Sequence, residues 1–218
     1  IVVKSHGGKD SIGFAHAADL ATEMSIGNYN ILIKNELDKL KNAIKDGKSL
    51  YHTFTLSSIN NNFPESRTIV LRNVSINPFK IYFNTDYRSP KIQQLINQSD
   101  CSALFYDIKS RIQIRLKCKA YIHYQNSLSN QIWKKTQLQS RKCYMGPYAP
   151  SKPLDDWHPN IPLEYSKKDP DKNKSEEGYI NFAHIELVVI ETDVLKLHHD
   201  GHMRFKYDNK NNAYYISP

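Results

Sequence analysis

Arg88-Ser89-Pro90-Lys91 is the segment whose residue types most directly suggest chemistry. Ser89 suits the N-cap of a helix and Pro90 its first turn. A helix start there would present unpaired N–H groups and a partial positive charge beside two cations and a hydroxyl. Such a grouping can cradle a phosphate. A capped surface helix with solvated basic residues fits the same spacing at least as well. The second candidate is Arg67-Thr68-Ile69-Val70-Leu71-Arg72, an apolar strand with an arginine at each end. A guanidinium fork matches a phosphate or a polarised ring carbonyl. Strict alternation sends Arg67 and Arg72 to opposite faces, so both serve one ligand only if a bulge intervenes or the ligand lies across a barrel end.

Other reactive residue types carry less. His198, His199 and His202 lie close together, but no carboxylate or cysteine partner has a recognised metal-site spacing, so a polar turn is expected and no metal. Asp155, Asp156 and His158 lie in a long loop without a partner pattern. No nucleophile elbow, P-loop or Rossmann glycine pattern is present, and eight glycines leave little room for one. No acid, base or nucleophile is assigned.

These segments need elements to hold them. Ile33, Leu37, Leu40 and Ile44 repeat at helical spacing between Asn30 and Lys45, and Gly47 supplies a stop. Thereafter the period becomes that of strands: Tyr51 to Ser58, Arg67 to Val74 and Lys80 to Asn84, separated by Asn60-Asn61-Asn62 and Asn77-Pro78. A short helix follows Ser89, with Ile92, Leu95 and Ile96 inward. Cys101 to Asp107 and Arg111 to Tyr124 are the next strands. The second alternates cleanly, with Gln113 on its polar face. Ser127 to Gln139 reads as an amphipathic helix, and residues 142–177 as a long Pro-, Lys- and Asp-rich loop, a type usually functional or mobile. Tyr179 to Glu191, Val194 to His198, Met203 to Tyr207 and Ala213 to Ile216 close the set. Seven or eight antiparallel strands with few helices predict a mainly β protein, a small barrel without exposed edges.

The chain's 218 residues, 39% of them hydrophobic, suffice for one ordinary core. Residues 1–23 read as a leader or expression-derived segment, and 24–218 as a single domain. No apolar run reaches the ~18 residues of a membrane helix. Three cysteines without paired spacing fit a reducing, cytoplasmic setting. The net charge of +8 raises nucleic acid as a partner, but the charges are scattered and no binding motif accompanies them.

In this order the segments resemble the pyridoxamine 5′-phosphate oxidase-like FMN-binding split-barrel family, in the branch described as pyridoxamine 5′-phosphate oxidase-related. The likeness runs from about Tyr51 to Pro218. It rests on the RTIVLR strand, Phe83-Asn84-Thr85-Asp86-Tyr87-Arg88-Ser89-Pro90-Lys91, Gln113, Ser140-Arg141-Lys142-Cys143-Tyr144, and His202-Met203-Arg204-Phe205. It implies a six-stranded-type, Greek-key split β-barrel with flanking helices, and a homodimer with FMN at the subunit interface. It further implies that Arg67, Arg88 and Lys91, with Ser89, hold the FMN phosphate. Thr68, Ile69, Val70 and Arg72 would flank the ring, with Gln113, Arg204 and Ser151 completing the site, Gln113 and Arg204 from the partner.

The substrate half of the resemblance is weaker. The tryptophan that packs near the flavin in true oxidases has no counterpart near Leu195 to Leu197. Their Arg-x-His pair aligns with Asp200-Gly201-His202, keeping only the histidine. Their Tyr, Arg and Ser phosphate contacts fall near Trp133, Gln137 and Arg141, with none kept in place. Arg141 and His202 remain as candidate substrate contacts. The expectation is an FMN-dependent oxidoreductase on a small molecule, neither a nucleic-acid nor a membrane protein. The alternative is a flavin-binding module without turnover.

Overall fold

The computed structural model describes Leu32 and residues 34–208 and 213–218. The expected leader at 1–23 lies outside them. Helix α1 covers residues 34–43, with an i,i+3 ion pair of 2.7 Å between Lys39 and Glu36. The sheet and its helices belong to the compact unit Ala43–Pro218.

That unit holds nine strands: β1 Thr53–Asn60, β2 Phe63–Val70, β3 Asn73–Ile76, β4 Phe79–Asp86, β5 Asp100–Asp107, β6 Ile112–Tyr124, β7 Phe182–Lys196, β8 Met203–Asp208 and β9 Ala213–Tyr215. Helices α2 Pro90–Asn97, α3 Ser127–Lys135, α4 Leu138–Arg141 and α5 Lys172–Ser175 flank them. All pairings are antiparallel, and the order is β2-β1-β5-β6-β7-β4-β3, with β8 on β7 and β9 on β8.

Local sequence explains the turns. Asn61 and Asn62 both take left-handed φ, 47° and 71°, in the two-residue link from β1 to β2. That is the geometry a tight hairpin needs, and asparagine tolerates it. The alternating apolar residues then meet in one core. Phe54, Leu56, Phe83, Phe105, Leu116, Ile185, Leu187 and Phe205 are all buried, and the rings of Phe54 and Phe105 lie 5.1 Å apart.

Three expectations change. The run Arg67 to Val74 is not one strand: β2 ends at Val70 and β3 begins at Asn73. Leu71 N–H donates to His52 of the β1 side, and Arg72 N–H to Tyr82 of β4. Two consecutive residues therefore strap together the two ends of the sheet. The barrel is correspondingly split: β2 and β3 are not paired and the sheet does not close. Finally, the two strands expected between Tyr179 and His198 are one long strand, β7, over Phe182–Lys196. The pairing with β6 shifts register at Lys117/Cys118, so Ile190 falls between the paired residues Val189 and Glu191 and is exposed. That bulge absorbs the break in alternation that suggested two strands.

Candidate functional site

The turn from β4 into α2 has residues that could hold an anion. Ser89 is the N-cap of α2, with extended backbone and no side-chain capping bond, and Pro90 opens the helix. The hydroxyl is therefore not spent on the helix. Lys91, in the first turn, donates from Nζ to Ser89 Oγ and, at 3.1 Å, to Thr85 Oγ1. Among the described residues no carboxylate pairs with this ammonium. Burial, and next the charge of Arg67, push its pKa down, with Asp86 opposing weakly.

Arg67 comes to the same place from β2. It pairs across the sheet with Leu56, which pairs with Ala103, which pairs with Leu116, so it lies on the core side at the end of the row. Its guanidinium donates to Ser58 Oγ, to Gln94 Oε1 at 2.9 Å and to Glu65 Oε2 at 3.2 Å. Burial lowers its pKa too, against the raising effect of Glu65. Glu65 is held below the usual carboxylate range by hydrogen bonds from Asn60 and Gln94 and by Arg67. Two cations, partly desolvated, thus stand near each other beside a helix start, Arg67 paired with Glu65 and Lys91 held by two neutral hydroxyls. A dianionic phosphate would relieve that imbalance.

Arg88 is committed differently. Its Nε and Nη2 bind Asp86 at 3.1 and 2.7 Å, and Nη2 also donates to Gly146 O at 3.0 Å. It ties the turn to the long loop. Thr68 and Val70 alternate away from the core, Ile69 points toward it, and Arg72 sits at the corner beyond β2. The corner supplies the break in alternation that Arg67 and Arg72 require to approach one ligand. Beside it opens a cleft of about 610 Å³, whose lining includes Arg72, Asn84, Lys135, Tyr144 and His184. Lys45 also lines it, and among the described residues no carboxylate does. At its floor His184 Nδ1 meets Asn84 Oδ1 at 2.7 Å, and Tyr82 stacks on the imidazole at 5.5 Å. Burial, reinforced by His123, pushes His184 down to about 4, so it is neutral at physiological pH.

Gln113 and Arg204 occupy another surface. Tyr106, Gln113, Leu195 and Arg204 are successive register partners across β5, β6, β7 and β8. This row lies on the face opposite Ile112 and Ile114, hence opposite Arg67. Arg204 donates to Asp193 Oδ1 and Oδ2 at 3.1 and 2.8 Å, and Arg115 reaches Asp193 Oδ2 at 3.0 Å. Burial opposes ionisation of Asp193, but these guanidiniums hold its carboxyl below the ordinary value. One chain therefore does not bring Gln113 and Arg204 to Arg67 and Lys91.

The remaining candidates lie apart. Ser151 is exposed in the long loop, with left-handed φ of 68°. His202 is exposed, and its Nδ1 accepts the His198 N–H at 3.2 Å. Arg141 is only 2% exposed. It donates to the carbonyls of Thr136 and Trp133, to Ser175 Oγ and to Glu176 Oε1, and its guanidinium stacks over Trp133 at 4.7 Å. Its place is structural rather than on a ligand surface. Conversely Ser58, Glu65, Thr85 and Gln94 join the cradle without having been singled out by the sequence. Only Gln94 left a trace there, as a polar residue one turn from Lys91 beside the inward Leu95.

Comparison with known proteins bears on the fold and on one segment of the chain. Residues 34–124 match the family model of the pyridoxamine 5′-phosphate oxidase FMN-binding domain. A pyridoxamine 5′-phosphate oxidase-related FMN-binding protein from Nostoc punctiforme PCC 73102 superposes with a TM-score of 0.67 at 20% identity, covering 86% of this chain and 96% of that one. PhzG from Burkholderia lata 383, solved with tetrahydrophenazine-1-carboxylic acid, gives 0.59 at 16% identity, covering 86% and 91%. A separate short match, 51% identical over 43 residues, is to a phosphate acyltransferase of Paramagnetospirillum magneticum. It covers 20% of this chain and only 12% of that enzyme. No helix among the described residues is long and apolar enough to cross a membrane. Residues 34–124 are thus similar to a pyridoxamine 5′-phosphate oxidase FMN-binding domain, and the fold is that of the split-barrel FMN-binding proteins.

Proposed function

We propose that this protein is an FMN-dependent oxidoreductase acting on a small molecule in the cytoplasm, built as a homodimer with FMN at each subunit interface. The observation that carries the reading is the Arg67–Lys91 cradle, where two partly buried cations stand near each other beside the start of α2 and Lys91 has hydroxyls as its hydrogen-bond partners. Arg67, Lys91, Ser89 and the first N–H groups of α2 would hold the FMN phosphate. Arg88 would keep the turn in shape through Asp86 and Gly146. Thr68, Ile69, Val70 and Arg72 would flank the ring. FMN, when bound, supplies hydride and electron transfer, so the protein's tasks are binding, orientation and exclusion of water. The absence of an evident acid or base is compatible with that division.

Gln113 and Arg204 lie in one row on the far face of the sheet. A second chain could present that row to a flavin held by the first. Mixing Arg67→Ala chains with Arg204→Ala chains is then expected to restore one tight FMN site per heterodimer. No recovery would mean that each site is built within one chain. The cleft beside Arg72 is the natural place for the small molecule. Its cations suit an acidic one.

Pyridoxine and pyridoxamine 5′-phosphates are expected to be poor substrates. Arg141 is consumed by the fold, and Asp200 stands where the oxidases carry an arginine. Losing one phosphate contact and adding a like charge costs on the order of several kcal/mol, and each ~1.4 kcal/mol is tenfold in kcat/KM. Purified protein is expected to release FMN on denaturation and, when reconstituted, to be reduced by NAD(P)H and reoxidised by an acceptor. Tight FMN binding without either half-reaction would favour the flavin-binding module. Turnover of pyridoxamine 5′-phosphate at the rate of a genuine oxidase would contradict the reading of Asp200.

A further inference from the structure

The turn joining β7 to β8 places three metal-ligating side chains in consecutive positions, none of them among the residues that line the cleft. We propose that His198, His199 and Asp200 form a binding site for a zinc-type divalent ion.

The backbone holds the turn closed. Gly201 N–H donates to His198 O at 3.3 Å, and Gly201 takes a φ of +130°. That φ is rarely open to residues with a Cβ, whereas nothing lies within 4 Å of where a Cβ would stand, so the requirement is one of conformation. His202 Nδ1 accepts the His198 N–H from the far side at 3.2 Å, fixing the entry to the turn. The three ligand-bearing residues therefore share one short, closed segment.

The distances suit a tetrahedral ion. Asp200 Oδ2 lies 3.2 Å from His199 Nε2 and 3.6 Å from His198 Nδ1, and the three ligand atoms all fall within 4.8 Å of one another. Bonds of about 2.0–2.1 Å at tetrahedral angles separate ligand atoms by about 3.3–3.4 Å. Two of the three edges are close to that length already, and the third, between imidazoles whose centroids lie 4.2 Å apart, is within 4.8 Å. Asp200 N–H donates to His198 Nδ1 at 3.2 Å, and an ion at that nitrogen would take the place of this hydrogen bond. Two imidazoles and one carboxylate favour zinc and its neighbours over the oxygen-seeking magnesium and calcium. All three side chains are exposed, which gives an ion access and leaves a fourth position for water.

The test uses the full chain, FMN-loaded, without a polyhistidine tag and stripped by chelator. Calorimetric titration with Zn²⁺ is expected to show one saturating ion per chain, and Co²⁺ to give the absorption of a tetrahedral site. His199→Ala and Asp200→Asn are each expected to weaken Zn²⁺ by more than the roughly tenfold that loss of an outer partner costs. His158→Ala and Cys143→Ser, elsewhere on the surface, are expected to leave it unchanged. Far-ultraviolet circular dichroism and retained FMN check that each variant is folded. Absence of saturable one-ion binding overturns the proposal. So does binding at parental strength in both turn variants, or loss of binding in either surface control.

Discussion

Arg67 and Arg141 were both read from the sequence as arginines for an anionic ligand, and their surroundings separate them. Arg141 is fully enclosed, and its guanidinium is met by two carbonyls, a hydroxyl, the Glu176 carboxylate and the Trp133 ring. Every requirement of its charge is answered by the protein itself. Arg67 is less buried, shares the half-exposed Glu65 with Gln94, and stands near Lys91, whose partners among the described residues are hydroxyls. The difference teaches that an arginine's role follows from whether its charge is already matched. A matched buried cation supports the fold, while a cation that meets hydroxyls near a helix start is open to an anion.

The largest effect that could break this contrast is on stability. Arg141→Ala leaves Ser175, Glu176 and two carbonyls without their donor and opens a void beside Trp133. It is expected to cost about 3–5 kcal/mol in urea unfolding. A change below about 1 kcal/mol, with FMN affinity reduced instead, would return Arg141 to the ligand side.

Much of the fold was legible because strand and helix periods are local. The clean alternation of Ile112 to Ile122, the Asn61-Asn62 hairpin and the Ser89-Pro90 helix start all appear where the residue types require them. The corner at Leu71–Arg72 was not, because it is decided by distant partners, His52 and Tyr82, which no local pattern announces. The same holds for the continuity of β7, whose bulge depends on its register with β6. In the site, Arg67, Ser89 and Lys91 were visible as residue types. The fates of Arg88 and Arg141 were not, since a cation's availability depends on what folding packs against it.

The cleft offers a sharper form of the comparison, because there the matched state depends on pH. His184 is neutral, bonded to Asn84, and held down to about 4 against an ordinary 6.5 by burial and His123. Between those values the unfolded chain binds a proton that the folded chain does not. Its contribution is thus complete above about pH 6.5 and is lost as pH falls toward 4, by up to about 3 kcal/mol. Unfolding free energies at pH 7, 5.5 and 4.5 should follow that course, and His184→Gln should flatten it. An unchanged slope in the variant would place the pH dependence elsewhere.

The central claim, that the Arg67–Lys91 pair holds the phosphate of FMN, is tested most directly by fluorescence-quenching titration of FMN into the apoprotein and its variants. Arg67→Ala and Lys91→Ala are each expected to weaken binding by about 1.5–3 kcal/mol, the scale of a charge-assisted hydrogen bond, with unfolding of the apoprotein changed by less than about 1 kcal/mol. Arg88→Ala, whose fork is already taken by Asp86, is expected to weaken FMN binding less than Lys91→Ala does. Parental affinity in both Arg67→Ala and Lys91→Ala would contradict the assignment and put the phosphate elsewhere on the protein.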